Sequence, residues 1–228
     1  MRPFAWAGAL LFAAALAWFV YQYLITFAVP MSASAPLAIA FDVALFSVFA
    51  LHHSLFARTP LRAWIATYAP RNERTIYVWI ASALFIAVCT WWRPVAGIAW
   101  QVDGPLRWIL YGLQAFGVFL TIRGAAVIDV RDLAGVGSTP APHQEGATHE
   151  FKTSGPYGWI RHPIYSGWFL MVLAANPMTM TRLTFALVSC AYLILAIPLE
   201  EGTLRRTSSG AYDTYMKTVR WRVVPGLF

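Results

Sequence analysis

An all-α, polytopic membrane helix bundle is the fold class this sequence predicts, and three observations predict it. Hydrophobic residues make up 59% of the 228 positions and charged residues only 12%, against roughly 45–50% and about 25% in soluble domains. Apolar runs long enough to span a bilayer recur along the chain. Cations cluster at the ends of those runs instead of forming one basic stripe. A water-soluble chain of this size lacks the interior volume to hide so much apolar surface, and the same figures exclude disorder, collagen and a disulfide scaffold. The formal net charge of +7 therefore reads as membrane topology and not as a nucleic-acid footprint.

A spanning helix needs about 20 mostly apolar residues. The first candidate covers residues 4–29, is uncharged, and is too long for a signal-peptide core; its Trp18, Tyr21 and Tyr23 resemble an interfacial belt. A short turn at residues 31–36 leads to a second span at 37–57. A third follows at 76–92 and a fourth at 106–130. Residues 131–161 are polar. Apolar sequence resumes at 164 and runs to 199, broken by Asn-Pro-Met-Thr-Met-Thr at 176–181. The residue before a proline avoids helical geometry, so Asn176 ends a helix. Residues 164–175 and 182–199 are then two arms of a C-terminal helical hairpin, the first only about 18 Å long at ~1.5 Å per residue. The chain divides into a four-span region, 1–130, and a catalytic region, 131–228, made of a polar loop, the hairpin and a tail. Cys89 and Cys190 both lie inside apolar segments and read as reduced and buried.

Charge sets the orientation. Arg58, Arg62, Arg71 and Arg74 follow span two, Arg131, Lys152 and Arg161 follow span four, and Arg205, Arg206, Lys217, Arg220 and Arg222 lie in the tail. The opposite side holds only Arg93, Arg107 and Arg182. Both termini and the long polar stretch are therefore expected on the cytoplasmic side of an inner membrane.

Two polar blocks flank the hairpin. One is Thr148-His-Glu-Phe-Lys-Thr-Ser-Gly-Pro-Tyr157 with Arg161-His-Pro-Ile-Tyr-Ser-Gly167; the other is Glu200-Glu-Gly-Thr-Leu204 leading to Tyr212 and Tyr215. A hairpin returns the chain to its starting face, so Arg161 and His162 are expected beside Glu200 and Glu201, forming a cytoplasmic pocket. Each feature also has a plainer reading. A lone Arg beside an apolar helix usually snorkels to the headgroups, the two glutamates suit a solvated helix end, and His149 suits a surface loop. His52 and His53 point about 100° apart on a helix and make a poor metal pair, so no metal is expected. Asp42, within an apolar span, is a functional candidate by default.

Thr148-His149, Thr153-Ser-Gly-Pro-Tyr157, Arg161-His-Pro-Ile-Tyr165, Gly167-Trp168, Asn176-Pro177, Glu200-Glu201-x-x-Leu204, Tyr212-x-x-Tyr215 and Pro225, in this order, resemble the isoprenylcysteine carboxyl methyltransferase family, integral membrane enzymes that use S-adenosylmethionine. His53-Ser54, Ala57-Arg58, Glu73-Arg-Thr-Ile-Tyr-Val78, Trp92-Arg-Pro94, Pro177-Met-Thr-Met180 and Ala191-Tyr-Leu-Ile-Leu-Ala196 resemble its bacterial branch, with the methanethiol S-methyltransferases and NnrU-like proteins. The chain departs from the family where Ser209-Gly-Ala-Tyr212 lacks the usual aromatic before the first tail tyrosine, and residues 131–147 match nothing in it.

The resemblance implies the following roles. His149 and His162 hold polar groups of the cofactor, Phe151 and Pro163 belong to the cofactor-binding set, and Tyr157 and Tyr165 wall it, where a sulfonium gains cation–π attraction. Gly155 permits close backbone approach, Pro156 and Pro163 stiffen the turns, and Glu200 takes the ammonium or ribose. Arg161 serves the acceptor, with Glu201 as its orienting partner. No Gly-rich strand-to-helix turn is present to bind a dinucleotide. The acceptor is expected to be small or lipophilic, a thiol first, with a prenylcysteine carboxylate or an amine-bearing lipid as enzymatic alternatives. A non-enzymatic NnrU-like accessory role and an NADPH-dependent membrane reductase are the competing classes; nucleic acid is not an expected partner.

Overall fold

The computed structural model describes residues 2–56, 64, 67–68, 72–128, 130–136 and 153–228. The expected bundle is present. Helix α1 (Arg2–Tyr21) runs on into a π-helical turn (Gln22–Thr26), followed by α2 (Ala38–Phe56), α3 (Glu73–Trp91), α4 (Leu106–Ile128), α5 (Pro163–Leu173), α6 (Met180–Thr207) and α7 (Ala211–Thr218). Among the described residues, four helical stretches are long and apolar enough to cross a membrane, at Pro3–Thr26, Glu73–Trp91, Leu106–Ile128 and Met180–Thr207. With apolar side chains all round, such helices need lipid on one side and each other on the rest. The protein is an integral membrane protein.

Helix packing in lipid rests on van der Waals fit, not on the escape of apolar surface from water. Here the fit is aromatic. Phe185 of α6 is fully buried, and its ring lies 5.0 Å from Trp92, 5.5 Å from Phe19, 6.1 Å from Phe46 and 6.2 Å from Trp168. One ring on α6 thus touches α1, α2, the end of α3 and α5. Cys89 and Cys190 are buried and unpaired in this core.

At one end of the bundle the connecting loops knit together. Strands β1 (Ile98–Trp100) and β2 (Met178–Thr179) pair antiparallel, which the apolar pattern did not foretell. Asn176 exchanges two hydrogen bonds with the main chain of Val102. Arg182, expected at the start of the second hairpin arm as one of the few cations on this side, is buried here. Its guanidinium donates to the carbonyls of Tyr23, Leu24 and Pro177 at 2.8, 2.9 and 2.7 Å, satisfying acceptors that the end of a helix leaves bare. Asp42 is also buried here, accepting from the Arg93 main-chain N–H at 2.8 Å, so it belongs to the loop end and stays apart from the polar blocks. His53 meets the Tyr77 hydroxyl at 2.6 Å and the His52 ring stacks on Tyr77.

The hairpin meets expectation in its short first arm and departs from it in its second. Its first arm, α5, has 11 residues and is about 17 Å long, roughly half the ~30 Å hydrocarbon core. Its second arm does not stop at Leu199; α6 continues through Pro198 and the two glutamates to Thr207. Glu200 and Glu201 are therefore mid-helix residues and not a frayed, solvated end.

What places α5 is its contact with α4. A Cβ added to Gly167 would sit 2.6 Å from the Gly117 carbonyl oxygen, and one on Gly117 would sit 2.6 Å from both the Gly167 oxygen and the Met171 nitrogen. Main chain lies on main chain, which only small residues permit. Gly167→Val is expected to force the two helices apart at a cost of about 1–3 kcal/mol or more. Thermal melting in detergent should fall, together with ligand affinity at the pocket described next, whose walls these helices carry; an unchanged melting curve would contradict the close contact.

Candidate active site

The end of the bundle opposite the knitted loops holds the polar residues. Gly155–Gly158 forms a single 3-10 turn, which Gly155 begins at φ +61°. Left-handed backbone is what demands glycine there; an added Cβ would meet its nearest neighbour, Val127, at an ordinary 3.7 Å. His162 then caps α5 with Pro163 at its first position, where a missing N–H costs nothing and the fixed φ suits the helix.

The segment at residues 219–228 lies against this entry. Ile160 and Trp221 form a parallel bridge. Arg161 N–H donates to the Trp221 carbonyl at 2.9 Å and His162 N–H to the Arg222 carbonyl at 2.8 Å. Ser166 Oγ donates to the Val223 carbonyl at 2.6 Å. Nothing in the composition of a basic tail singles out these contacts.

The entry and exit of the hairpin meet here. Arg161 Nε donates to Glu201 Oε1 at 2.8 Å, and His162 Nε2 lies 3.3 Å from the same oxygen. Glu201 is 4% exposed. Its other oxygen, Oε2, accepts from Arg222 Nε at 3.2 Å. The Arg161 side chain is only 8% exposed, which overturns the snorkelling alternative. Its Nη1 donates to the carbonyls of Val219 at 3.0 Å and Arg220 at 2.9 Å. Glu200, one residue earlier on α6 and so about 100° away around the helix, accepts from the Tyr165 hydroxyl at 2.7 Å and has a side chain 36% exposed. His162 Nδ1 stands 3.8 Å from Glu200, beyond hydrogen-bond reach, and its ring stacks on Tyr165 at 5.2 Å.

These groups border a cavity of about 450 Å³, within the range of small-molecule sites. Tyr157, Arg161, His162, Tyr165 and Glu200 line it, with Tyr212 and Tyr215 of α7 opposite and Val127, Ile128, Ile164 and Leu204 supplying apolar wall. Glu201 lies behind the wall, gripping Arg161 and His162. Pro163 and Gly155 shape the turns without lining the cavity, and His149 and Phe151 fall outside the described residues.

Burial pushes the Tyr215 hydroxyl up to about 12, with Arg161 pulling down and Glu201 pushing up. Burial raises Tyr157 and Tyr212 as well, reinforced by the charges of Glu200 and Glu201 respectively. All three phenols are neutral at physiological pH, fit to donate hydrogen bonds and present ring faces but not to act as bases. Tyr215 uses its proton at once, donating to the Tyr157 carbonyl at 2.7 Å. Among the described residues no cluster of three or more His, Cys, Asp or Glu side chains forms a metal site.

Fold and site together define an integral membrane protein with a polar, aromatic-walled pocket at one end of its helices. The profile of the isoprenylcysteine carboxyl methyltransferase (ICMT) family matches residues 144–205. The chain is 33% identical to a methanethiol S-methyltransferase of Crocosphaera subtropica over 186 residues, covering 80% of this chain and 73% of that one. With a methanethiol S-methyltransferase of Pseudomonas deceptionensis the identity is 35% over 203 residues, 82% and 73% of the two chains. A Nurim homolog of Drosophila melanogaster is 26% identical over 176 residues, 69% and 66% of the chains. No solved structure matches. This chain belongs to the isoprenylcysteine carboxyl methyltransferase family of integral membrane methyltransferases, on the branch that includes the methanethiol S-methyltransferases.

Proposed function

We propose that this protein transfers the methyl group of S-adenosylmethionine to a small or lipophilic acceptor, in the first place a small thiol, at the cytoplasmic face of the membrane. The observation that carries this reading is a shared cavity bordered by Arg161 and His162 from one hairpin arm and Glu200 from the other. The charge clusters at the ends of the apolar runs support the cytoplasmic placement. The names of the bacterial relatives support the thiol.

The chemistry of the lining fits the cofactor. Glu200, a carboxylate at the cavity wall, would take the ammonium or a ribose hydroxyl. His162, whose Nδ1 makes no hydrogen bond among the described residues, would meet another polar group. The rings of Tyr157 and Tyr165 would wall the ligand, with cation–π attraction for a sulfonium. When bound, the cofactor supplies an electrophilic methyl group. Displacement at that carbon is in-line, so the protein's share of the work is alignment and exclusion of water. The neutral tyrosines and the apolar wall provide the second. Arg161 provides the first on the acceptor side: its positive charge favours the thiolate of an acceptor whose unperturbed value, by analogy with cysteine, is about 8.5.

The test has two arms. Purified protein is titrated with S-adenosylmethionine and separately with NADPH, and membranes are incubated with methyl-labelled S-adenosylmethionine and a panel of small thiols, prenylcysteines and amine lipids. Saturable binding of S-adenosylmethionine alone, with label passing to a small thiol as its thioether, is the expected result. Binding of NADPH alone would make the protein a reductase, and binding of neither would leave an accessory role.

A further inference from the structure

We infer that Arg222 is a positioning residue: by occupying the second oxygen of Glu201 it keeps one edge of Arg161 open toward the acceptor. The assignment of that edge to the acceptor rests on the function proposed above; the geometry does not.

A guanidinium carries Nε–H and Nη2–H on one edge, and a carboxylate facing that edge takes both in a parallel, bidentate pair. Arg161 and Glu201 do not do this. Nε donates to Oε1 at 2.8 Å, Nη1 is committed to the Val219 and Arg220 carbonyls, and Nη2 makes no hydrogen bond among the described residues. The reason lies on the far side of Glu201. Its Oε2 is taken by Arg222, with Nε and Nη2 both at 3.2 Å.

Arg222 is held there independently of Glu201. Its carbonyl accepts from the His162 N–H, its own N–H donates to the Phe228 main-chain oxygen, and its guanidinium lies 5.2 Å over the Phe228 ring. It does not line the cavity, whereas Arg161 does. Its influence on the pocket therefore runs through Glu201. Without Arg222, Oε2 is free to swing onto Arg161 Nη2 and close the pair, and the donor left for an acceptor is lost.

Arg222→Ala and Arg222→Lys test this. In ligand-free protein, isotope-edited NMR follows hydrogen exchange at the Arg161 Nη2 group; in active membranes, acceptor KM, kcat and the Kd for S-adenosylmethionine are measured. Arg222→Ala should slow Nη2 exchange and raise acceptor KM about tenfold or more, the loss of one charge-assisted hydrogen bond, with cofactor Kd within about twofold. Arg222→Lys keeps a cation at Oε2 and should restore most of the KM. Unchanged exchange and KM in Arg222→Ala would overturn the inference. So would a parallel loss of cofactor and acceptor binding, or failure of both variants to fold, either of which makes Arg222 a structural clamp. A parent protein that binds no S-adenosylmethionine would instead defeat the proposed function, and the exchange measurement would still stand.

Discussion

Arg161→Lys is expected to lose methyl transfer by at least about 100-fold, and Arg161→Ala to lose it altogether, with S-adenosylmethionine affinity within about twofold of the parent in both. A lysine keeps the charge but not the fork. Arg161 lines the cavity, directs Nε to Glu201 and Nη1 to two main-chain carbonyls, and leaves Nη2 without a hydrogen bond among the described residues. A single ammonium cannot satisfy those three directions at once, so it is expected to settle on Glu201 and withdraw from the acceptor. Full activity in Arg161→Ala, measured by label transfer in membranes, would reject the role.

The two adjacent glutamates are expected to separate cleanly when each is changed to glutamine. Glu201→Gln removes the one carboxylate shared by Arg161, His162 and Arg222. Leaving buried cations without their counter-charge costs about 3–5 kcal/mol, so melting should fall by roughly 10 °C and turnover should go with it. Glu200→Gln loses a half-exposed charge that faces the cavity and accepts from Tyr165. Its melting should barely move, while the Kd for S-adenosylmethionine rises about tenfold or more. The reverse pattern, with Glu200 the stabilising residue, would mean that α6 presents the other face to the pocket.

Much of this arrangement was legible in the amino-acid order. The spans follow from apolar length. The meeting of Arg161 and His162 with the glutamates follows from chain reversal, because a hairpin must bring its entry and exit to one side. Chain reversal alone does not say which glutamate faces the cavity, since that depends on the rotation of α6 about its axis, set by Phe185 and its aromatic neighbours far from the pocket; the separate roles expected of Glu200 and Glu201 came from the family resemblance. The continuation of α6 to Thr207 was hidden because the paired glutamates suit a solvated helix end, while the contacts of Tyr212 and Leu204 hold the helix on past them. Arg222 was hidden differently. It is one of five cations in a basic tail, and only the strand-like seating of residues 221–223 against the start of α5 distinguishes it from Arg220. Arg182 likewise counted only toward topology, and its burial depends on the carbonyls that the π-helical end of α1 supplies.

The most direct measurement is photocrosslinking of labelled S-adenosylmethionine to the purified protein, with the modified peptides mapped by mass spectrometry. Label is expected on the tyrosines and acid that border the cavity, Tyr157, Tyr165, Glu200 or Tyr212, competed away by unlabelled cofactor. Competed label confined to the opposite end of the bundle, around Trp100 or Asn176, would contradict it.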